Sequence, residues 1–390
     1  MMTCNRIPDS ILLDDSLNTA IQALSENYDF EMHKTIWRIK RDQFKRVALQ
    51  FPDGLLIFAV SIASIIESFT DAEAVIIGDV TYGACCIEDT TAYLLGCDLI
   101  IHYGHSCLIS IDELPSGLKA MYIFVRISLD ALHICNVIEA NLKNTEKDIV
   151  LCGTIQFTSC IQHVKTELKQ RGLFSLISIP QCKPLSPGEL LGCTAPTLTN
   201  CENAAIVYIG DGRFHLEAMM IANPNNTAYQ YDPYANKFTI ERYDHTQMQI
   251  TRKSQIEIAK KSKRFAVIRS TLGRQGSAKV TKNIENALTE SDVEYFVCIL
   301  SEIDNTLFGL VSTVDCWIQI ACPRLSIDWG VCFNKPILNP YEAMVCLRKT
   351  EWKKIYPMDF YAFDSGGDWT PNNKSNRSVR MFKRNQHLKN

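Results

Sequence analysis

Apolar residues fall along this chain in short runs closed by Gly, Pro, Asp or Asn, the signature of strands rather than of one long amphipathic stripe. The runs predict strands at Val47–Phe51, Ala74–Ile77, Leu99–His102, Met121–Val125 and Ile149–Cys152. Further runs follow at Leu173–Ile179, Ala204–Ile209, Phe265–Ile268, Tyr295–Leu300 and Cys316–Ala321. Most are continuously apolar, as strands buried on both faces of a parallel sheet must be. Helical spacing lies between them. In Gln156–Arg171, Ile161, Val164 and Leu168 share a face, Lys165, Glu167 and Lys169 lie off it, and Gly172 stands at the C-cap position. Alternating strands and helices predict an α/β fold of parallel sheets.

The alternation restarts loosely three times. Lys45-Arg46, Lys147-Asp148 and Lys263-Arg264 each lead into a strand, a polar turn and a helix. The restarts are roughly 100 residues apart, enough for a small α/β domain. They predict three similar parallel-sheet α/β domains around a pseudo-threefold centre. The expected divisions are a helical lead-in at 1–45, domains at 46–146, 147–262 and 263–369, and a basic tail at 370–390. Any α/β chain can show such starts, so the pattern alone weighs equally for a chance recurrence. The tail carries six Lys/Arg and no acid, and is expected to be a solvated, disordered end.

Charge and composition then narrow the class. With 40 Lys/Arg against 43 Asp/Glu, a net charge of −3 argues against a chain built to grip nucleic acid by bulk charge. The longest apolar stretch, Leu55–Ile66, has 12 residues including two serines, too short and too polar to cross a membrane. The N-terminal MMTCNRIPDS lacks the apolar core of a secretory signal. A cytoplasmic protein with no membrane contact is expected.

In a reducing compartment the 16 cysteines serve as core filler, metal ligands or catalysts. No CxxC occurs, so zinc ribbons and thioredoxin-like pairs are not expected. Metal ligands would have to come from distant loops. In open α/β sheets, ligands bind beyond the carboxyl ends of the strands. Cys85, Cys193 and Cys322 each fall in such a place, one per expected domain. Three converging thiolates would suit a soft metal, above all an iron–sulfur cluster with one iron left open. The alternative for each is a small apolar side chain in the core. That reading is kept for Cys4, Cys86, Cys97, Cys107, Cys135, Cys152, Cys160, Cys182, Cys201, Cys298, Cys316, Cys332 and Cys346, with Cys86 and Cys97 the nearest rivals as ligands. Other polar groups gather at strand ends. His102 is expected to belong to its strand and His105 to line a pocket. Gly210–His215 ends a strand and opens a helix, a turn of the kind that can hold an anion or a ribose, and Asp232-Pro233-Tyr234 reads as a turn.

Several segments carry a family resemblance when read together. They are GDVTYGACC (Gly78–Cys86), HYGHSCLI (His102–Ile109), PQCKPLSPGELLGCT (Pro180–Thr194) and YIGDGRFHLE (Tyr208–Glu217), then YQYDPY (Tyr229–Tyr234), TLGRQGS (Thr271–Ser277), ACPRLSIDWG (Ala321–Gly330) and YPMDFYA (Tyr356–Ala362). In this order the chain resembles the diphthamide biosynthesis family, from about Ile7 to Ala362, on its first-subunit branch. The resemblance implies three α/β domains whose cysteines, here Cys85, Cys193 and Cys322, hold one 4Fe-4S cluster. It implies S-adenosylmethionine as co-substrate, cleaved to give a 3-amino-3-carboxypropyl radical that adds to C2 of a histidine in elongation factor 2. Such a protein is a transferase and a non-conventional radical enzyme. The resemblance also implies a heterodimer with a related second subunit and a small iron-binding electron donor. His105, Gln156, His215 and Asp232 are candidates for lining the pocket of the cofactor or target histidine. Two other readings share the fold: a non-catalytic cluster-binding partner subunit, and a quinolinate-synthase-like 4Fe-4S dehydratase.

Overall fold

The computed structural model describes residues 6–79, 83–106, 108, 114–144, 146–199, 201 and 203–376. Its strands are β1 (Tyr28–Asp29), β2 (Arg46–Gln50), β3 (Glu73–Ile76), β4 (Leu99–Tyr103), β5 (Lys119–Ile123) and β6 (Arg126–Ile127). Then come β7 (Asp148–Gly153), β8 (Leu176–Ser178), β9 (Ala205–Ile209), β10 (Ala228–Asp232) and β11 (Lys237–Glu241). The last four are β12 (Arg264–Ser270), β13 (Glu294–Leu300), β14 (Cys316–Ile320) and β15 (Ile337–Leu338). All ten expected runs are strands.

The main strands form three sheets, ordered β3-β2-β4-β5, β11-β10-β9-β7-β8 and β13-β12-β14-β15. Every neighbouring pair within them is parallel except the β10–β11 hairpin. Counted within each sheet, the first four strands stand in the same order, 2-1-3-4. This is a doubly wound order, and its direction reverses between the first and third strands. Burial explains the continuous apolar runs: β4 and β9 are buried at all five positions. The α/β class of parallel sheets is therefore the observed one.

Compactness divides the chain into two units. One comprises residues 1–131 with 155–160, and the other 132–154 with 161–390. The first holds one of these sheets together with the antiparallel β1–β6 pair. Its core packs Val47, Leu49, Ile101 and Tyr103 against Ile36, Ile62 and Ile66 of flanking helices, and Phe51 stacks on Tyr103 with centroids 4.4 Å apart. The lead-in is three helices, Asp9–Leu12, Asp15–Gln22 and Met32–Asp42, the last two separated by β1 and a left-handed Glu31. The second unit holds two sheets. Val150, Ile206 and Tyr208 of one share a continuous core with Val267, Ile318 and Ile320 of the other, while Ala266, Ile268 and Trp317 form a further cluster with Phe308 and Val314. Helix caps fix the crossovers: Asp244 opens His245–Ala259, and Ser277 opens Ala278–Glu290.

The expectation of a loose end from residue 370 does not hold for its first seven residues. Thr370, Asn372 and Asn376 are buried. Asn372 donates to the Tyr361 carbonyl at 2.8 Å, and Asn376 to the Asp368 and Thr370 carbonyls at 2.7 and 2.8 Å. Asparagine amides here replace the backbone pairing a strand would have given. Residues 377–390 lie outside the described residues, as do Cys4 and Cys107.

Candidate metal and cofactor site

Eight of the cysteines kept as core filler are buried: Cys86, Cys97, Cys135, Cys152, Cys160, Cys182, Cys316 and Cys346. Burial pushes the Cys182 thiol up to about 12 and that of Cys346 to about 11, so both stay protonated and inert at neutral pH. Cys85, Cys193 and Cys322 differ. Each is partly exposed and sits on a loop after a strand's carboxyl end. Cys201 and Cys298 are partly exposed as well, and Cys332 is exposed. Among the described residues, no three His, Cys, Asp or Glu side chains are gathered as a metal-binding group.

In the first unit, buried amide and imidazole groups hold the Cys85–Cys86 loop. Gln50, the last residue of β2, donates to the Cys86 carbonyl at 2.8 Å. Its Oε1 accepts from Glu88 N at 3.1 Å and lies 2.9 Å from His102 Nδ1. That oxygen only accepts, so the imidazole proton is on Nδ1. His102 lies within its strand as expected, one residue before the strand's end. Its ring is 5.5 Å from that of His105. Burial lowers the pKa of His102 to about 3 and that of His105 to about 4, so both are neutral at pH 7. Gln156 donates to the Gly104 carbonyl at 3.0 Å, which brings it beside His105. Among the described residues, His105 Nδ1 and Gln156 Oε1 are buried with no hydrogen-bond partner. Such atoms are costly unless something binds them.

In the second unit, Arg324 ties the two cysteine loops together. Cys322 is the N-cap of the helix Pro323–Trp329. Two residues on, Arg324 donates to the Gly192 carbonyl at 3.2 Å and to that of Phe214 at 2.8 Å. Its guanidinium also pairs with Glu217 and Asp328 and covers the Phe214 ring at 4.4 Å. A Cβ on Gly192 would sit 2.0 Å from that ring, so only glycine fits before Cys193. The fully buried Gln319 donates to the Cys322 carbonyl at 2.9 Å and accepts from Ala321 N at 2.9 Å. Replacing it with Met strands both backbone groups. The expected loss is about 1–3 kcal/mol, read as a lower melting temperature of the full chain.

His215 and Asp232 also lie in this unit, both half-buried. His215 is in the helix Phe214–Ala222, its ring edge-on to Phe214. Asp232 ends β10, and its Oδ1 accepts from Tyr234 N and Ala235 N, closing the β10–β11 turn. Sequence reasoning passed over Gln50, Gln319, Arg324 and Glu189. The signal for the glutamines was an amide inside an apolar strand, in RVALQ and CWIQI. Glu189 is buried four residues before Cys193, and burial raises its pKa to about 7.

Doubly wound parallel sheets that carry partly exposed thiols on their strand-end loops place the chain among α/β proteins whose sites lie at the carboxyl ends of the strands. Within that class the chain belongs to the diphthamide synthesis family. Residues 51–357 match the family described as "Putative diphthamide synthesis protein". The chain is similar to 2-(3-amino-3-carboxypropyl)histidine synthase subunit 1 of Nematostella vectensis, at 51% identity over 98% of this chain and 80% of that one. It is 49% identical to the human protein of the same name, over 96% of this chain and 84% of that one. Among solved structures it resembles Dph2 from Pyrococcus horikoshii, crystallised with a 4Fe-4S cluster. There the TM-score is 0.70 and the identity 26%, over 85% of this chain and 94% of that one.

Proposed function

We propose that this chain is the catalytic subunit for the first step of diphthamide synthesis, transferring the 3-amino-3-carboxypropyl group of S-adenosylmethionine to C2 of a histidine in elongation factor 2. The observation that carries this reading is near-full-length identity to relatives named as that synthase, with Cys85, Cys193 and Cys322 partly exposed at strand ends while most other cysteines are buried. The donors suit the cofactor: thiolates are the ligands iron–sulfur clusters take, and each of the three loops is braced by buried polar groups.

Cys85, Cys193 and Cys322 would hold a 4Fe-4S cluster, which when bound supplies the electron that breaks the bond between the sulfonium and the γ-carbon. The chain's own groups do the rest. Gln50, Gln319 and Arg324 fix the backbone of the three loops. His105 and Gln156 offer an uncharged imidazole and amide, whose Nδ1 and Oε1 are buried without a partner among the described residues and would not oppose a cationic sulfonium. His215 and Asp232 are proposed to line the pocket of the cofactor or target histidine. We assign the chain to the cytoplasm, as a heterodimer with a related second subunit and reduced by a small iron-binding electron donor. Among the described residues no helix is long and apolar enough to cross a membrane.

The test is anaerobic EPR of the reduced, iron-reconstituted chain with its second subunit, before and after S-adenosylmethionine. A 4Fe-4S signal that shifts on addition, followed by labelled transfer to elongation factor 2, is expected. Replacing Cys85, Cys193 or Cys322 with Ala should abolish the signal. A cluster indifferent to S-adenosylmethionine would favour the partner-subunit or dehydratase readings.

A further inference from the structure

We propose that Thr194 is a positioning residue whose hydroxyl donates a hydrogen bond to the sulfur of Cys193 and thereby raises the reduction potential of the cluster that this sulfur would hold. The inference rests on the reading of Cys193 as a ligand. It adds a residue that controls how easily the site accepts its electron.

Thr194 is fully buried, so no bulk water competes for its hydroxyl. A threonine hydroxyl has one proton and two lone pairs. The Tyr361 N–H donates to Oγ1 at 3.0 Å and occupies the accepting side. The proton is directed to Cys193 Sγ, 3.6 Å away, an ordinary distance for a sulfur acceptor. The β-branched side chain is stiff at χ1. The backbone around it is clamped from both sides. Leu191 and Thr194 exchange backbone hydrogen bonds at 3.0 and 3.2 Å across the cysteine. On the other side, Ala195 N donates to the Met358 carbonyl at 2.8 Å and Phe360 N to the Cys193 carbonyl at 3.2 Å. The strap of residues 356–361 therefore sets the hydroxyl and the sulfur together.

A hydrogen bond to a ligand sulfur draws charge from it and favours the more negative, reduced state. Removing the proton donor should lower the midpoint potential without removing a ligand. The experiment compares the full chain with Thr194→Val and Thr194→Ser, each iron-reconstituted anaerobically. Iron per chain is measured first, then the midpoint by EPR-monitored redox titration. At the wild-type midpoint, Thr194→Val should show a ratio of reduced to oxidised cluster roughly three- to tenfold lower, at equal iron content. Thr194→Ser keeps the hydroxyl and should titrate with the wild type. A Thr194→Val midpoint equal to the wild type, or a Thr194→Ser midpoint shifted as far as that of Val, overturns the inference.

Should Thr194→Val fail to retain iron, Thr194→Ala is the second hydroxyl-free variant and is read in the same way. Deuteron ENDOR of the wild type after exchange into heavy water gives a variant-free check. An exchangeable deuteron coupled to the reduced cluster is required, and its absence overturns the inference. The underlying reading fails separately: a Cys193→Ala protein with full iron and an unchanged EPR signal refutes Cys193 as a ligand. Unshifted Thr194 variants, with Cys193→Ala devoid of cluster, refute the role of Thr194 alone.

Discussion

Acidification from pH 7 to pH 5 is expected to weaken the first unit through His102 and His105. Burial lowers the pKa of His102 to about 3 and that of His105 to about 4, against 6.5 for the ordinary imidazole. Above pH 6.5 both are neutral in folded and unfolded chains, so the stability they permit is fully present. Below it the unfolded chain takes up protons that the folded one refuses. Two such groups cost about 2.7 kcal/mol per pH unit, hence roughly 4 kcal/mol by pH 5. That is a large share of the roughly 5–15 kcal/mol that stabilises a typical domain.

The second unit holds a group of opposite sign. Glu189, with its carboxyl raised to about 7 by burial, contributes fully below 4.5 and loses that contribution as pH rises through 7. Hydrogen exchange on peptides from residues 46–106 and 176–195, at pH 7, 6 and 5, separates the two effects. The first group should lose protection as the pH falls. In a His102→Asn, His105→Asn double variant this loss should flatten. An unchanged pH dependence in the variant would show that other groups govern the transition. Because His102 bonds Gln50 and Gln50 bonds the Cys86 carbonyl, the Cys85 loop should loosen early.

The parallel sheets were legible because strands buried on both faces leave a one-dimensional trace, a run of Val, Ile and Leu. The β10–β11 hairpin was not. AYQYD and KFTIE are half polar, since β11 is an antiparallel edge strand with little to bury. Its only clear signal was Asp232-Pro233-Tyr234, which reads as a turn and forms one. The cysteine loops could be placed at strand ends because strand ends are local. The groups that hold them could not. Gln50 reaches 36 residues along the chain to Cys86, Arg324 reaches 132 to Gly192, and Tyr361 reaches 167 to Thr194. No periodicity encodes such pairings. The last two appear only once two sheets share one core, as those of the second unit do.

The same long reach makes a buried ion pair matter to the Cys193 loop. Arg252 and Glu342 are fully buried and paired bidentately, with Nε to Oε1 and Nη2 to Oε2 both at 2.7 Å. Arg252 also donates to the Ile337 carbonyl at 2.8 Å, while its Nη1 has no partner among the described residues. Tyr356 donates to Glu342 at 2.9 Å and accepts from Asn339 at 2.6 Å, so the carboxylate anchors the first residue of the strap that clamps Cys193.

Replacing Arg252 with Met leaves a buried carboxylate uncompensated, and about 3–5 kcal/mol of stability should be lost. Replacing both residues with Met removes the orphan charge and should recover much of that loss, which a double-mutant cycle on the melting temperature reads directly. The two variants should part company at the cysteine. The double variant refolds the core but leaves Tyr356 without its acceptor, so the strap is expected to fray and Cys193 to hold iron less tightly than in the wild type. Full stability with wild-type iron retention in the double variant would show that the strap is held by its own backbone and asparagine contacts, and that the ion pair serves the core alone.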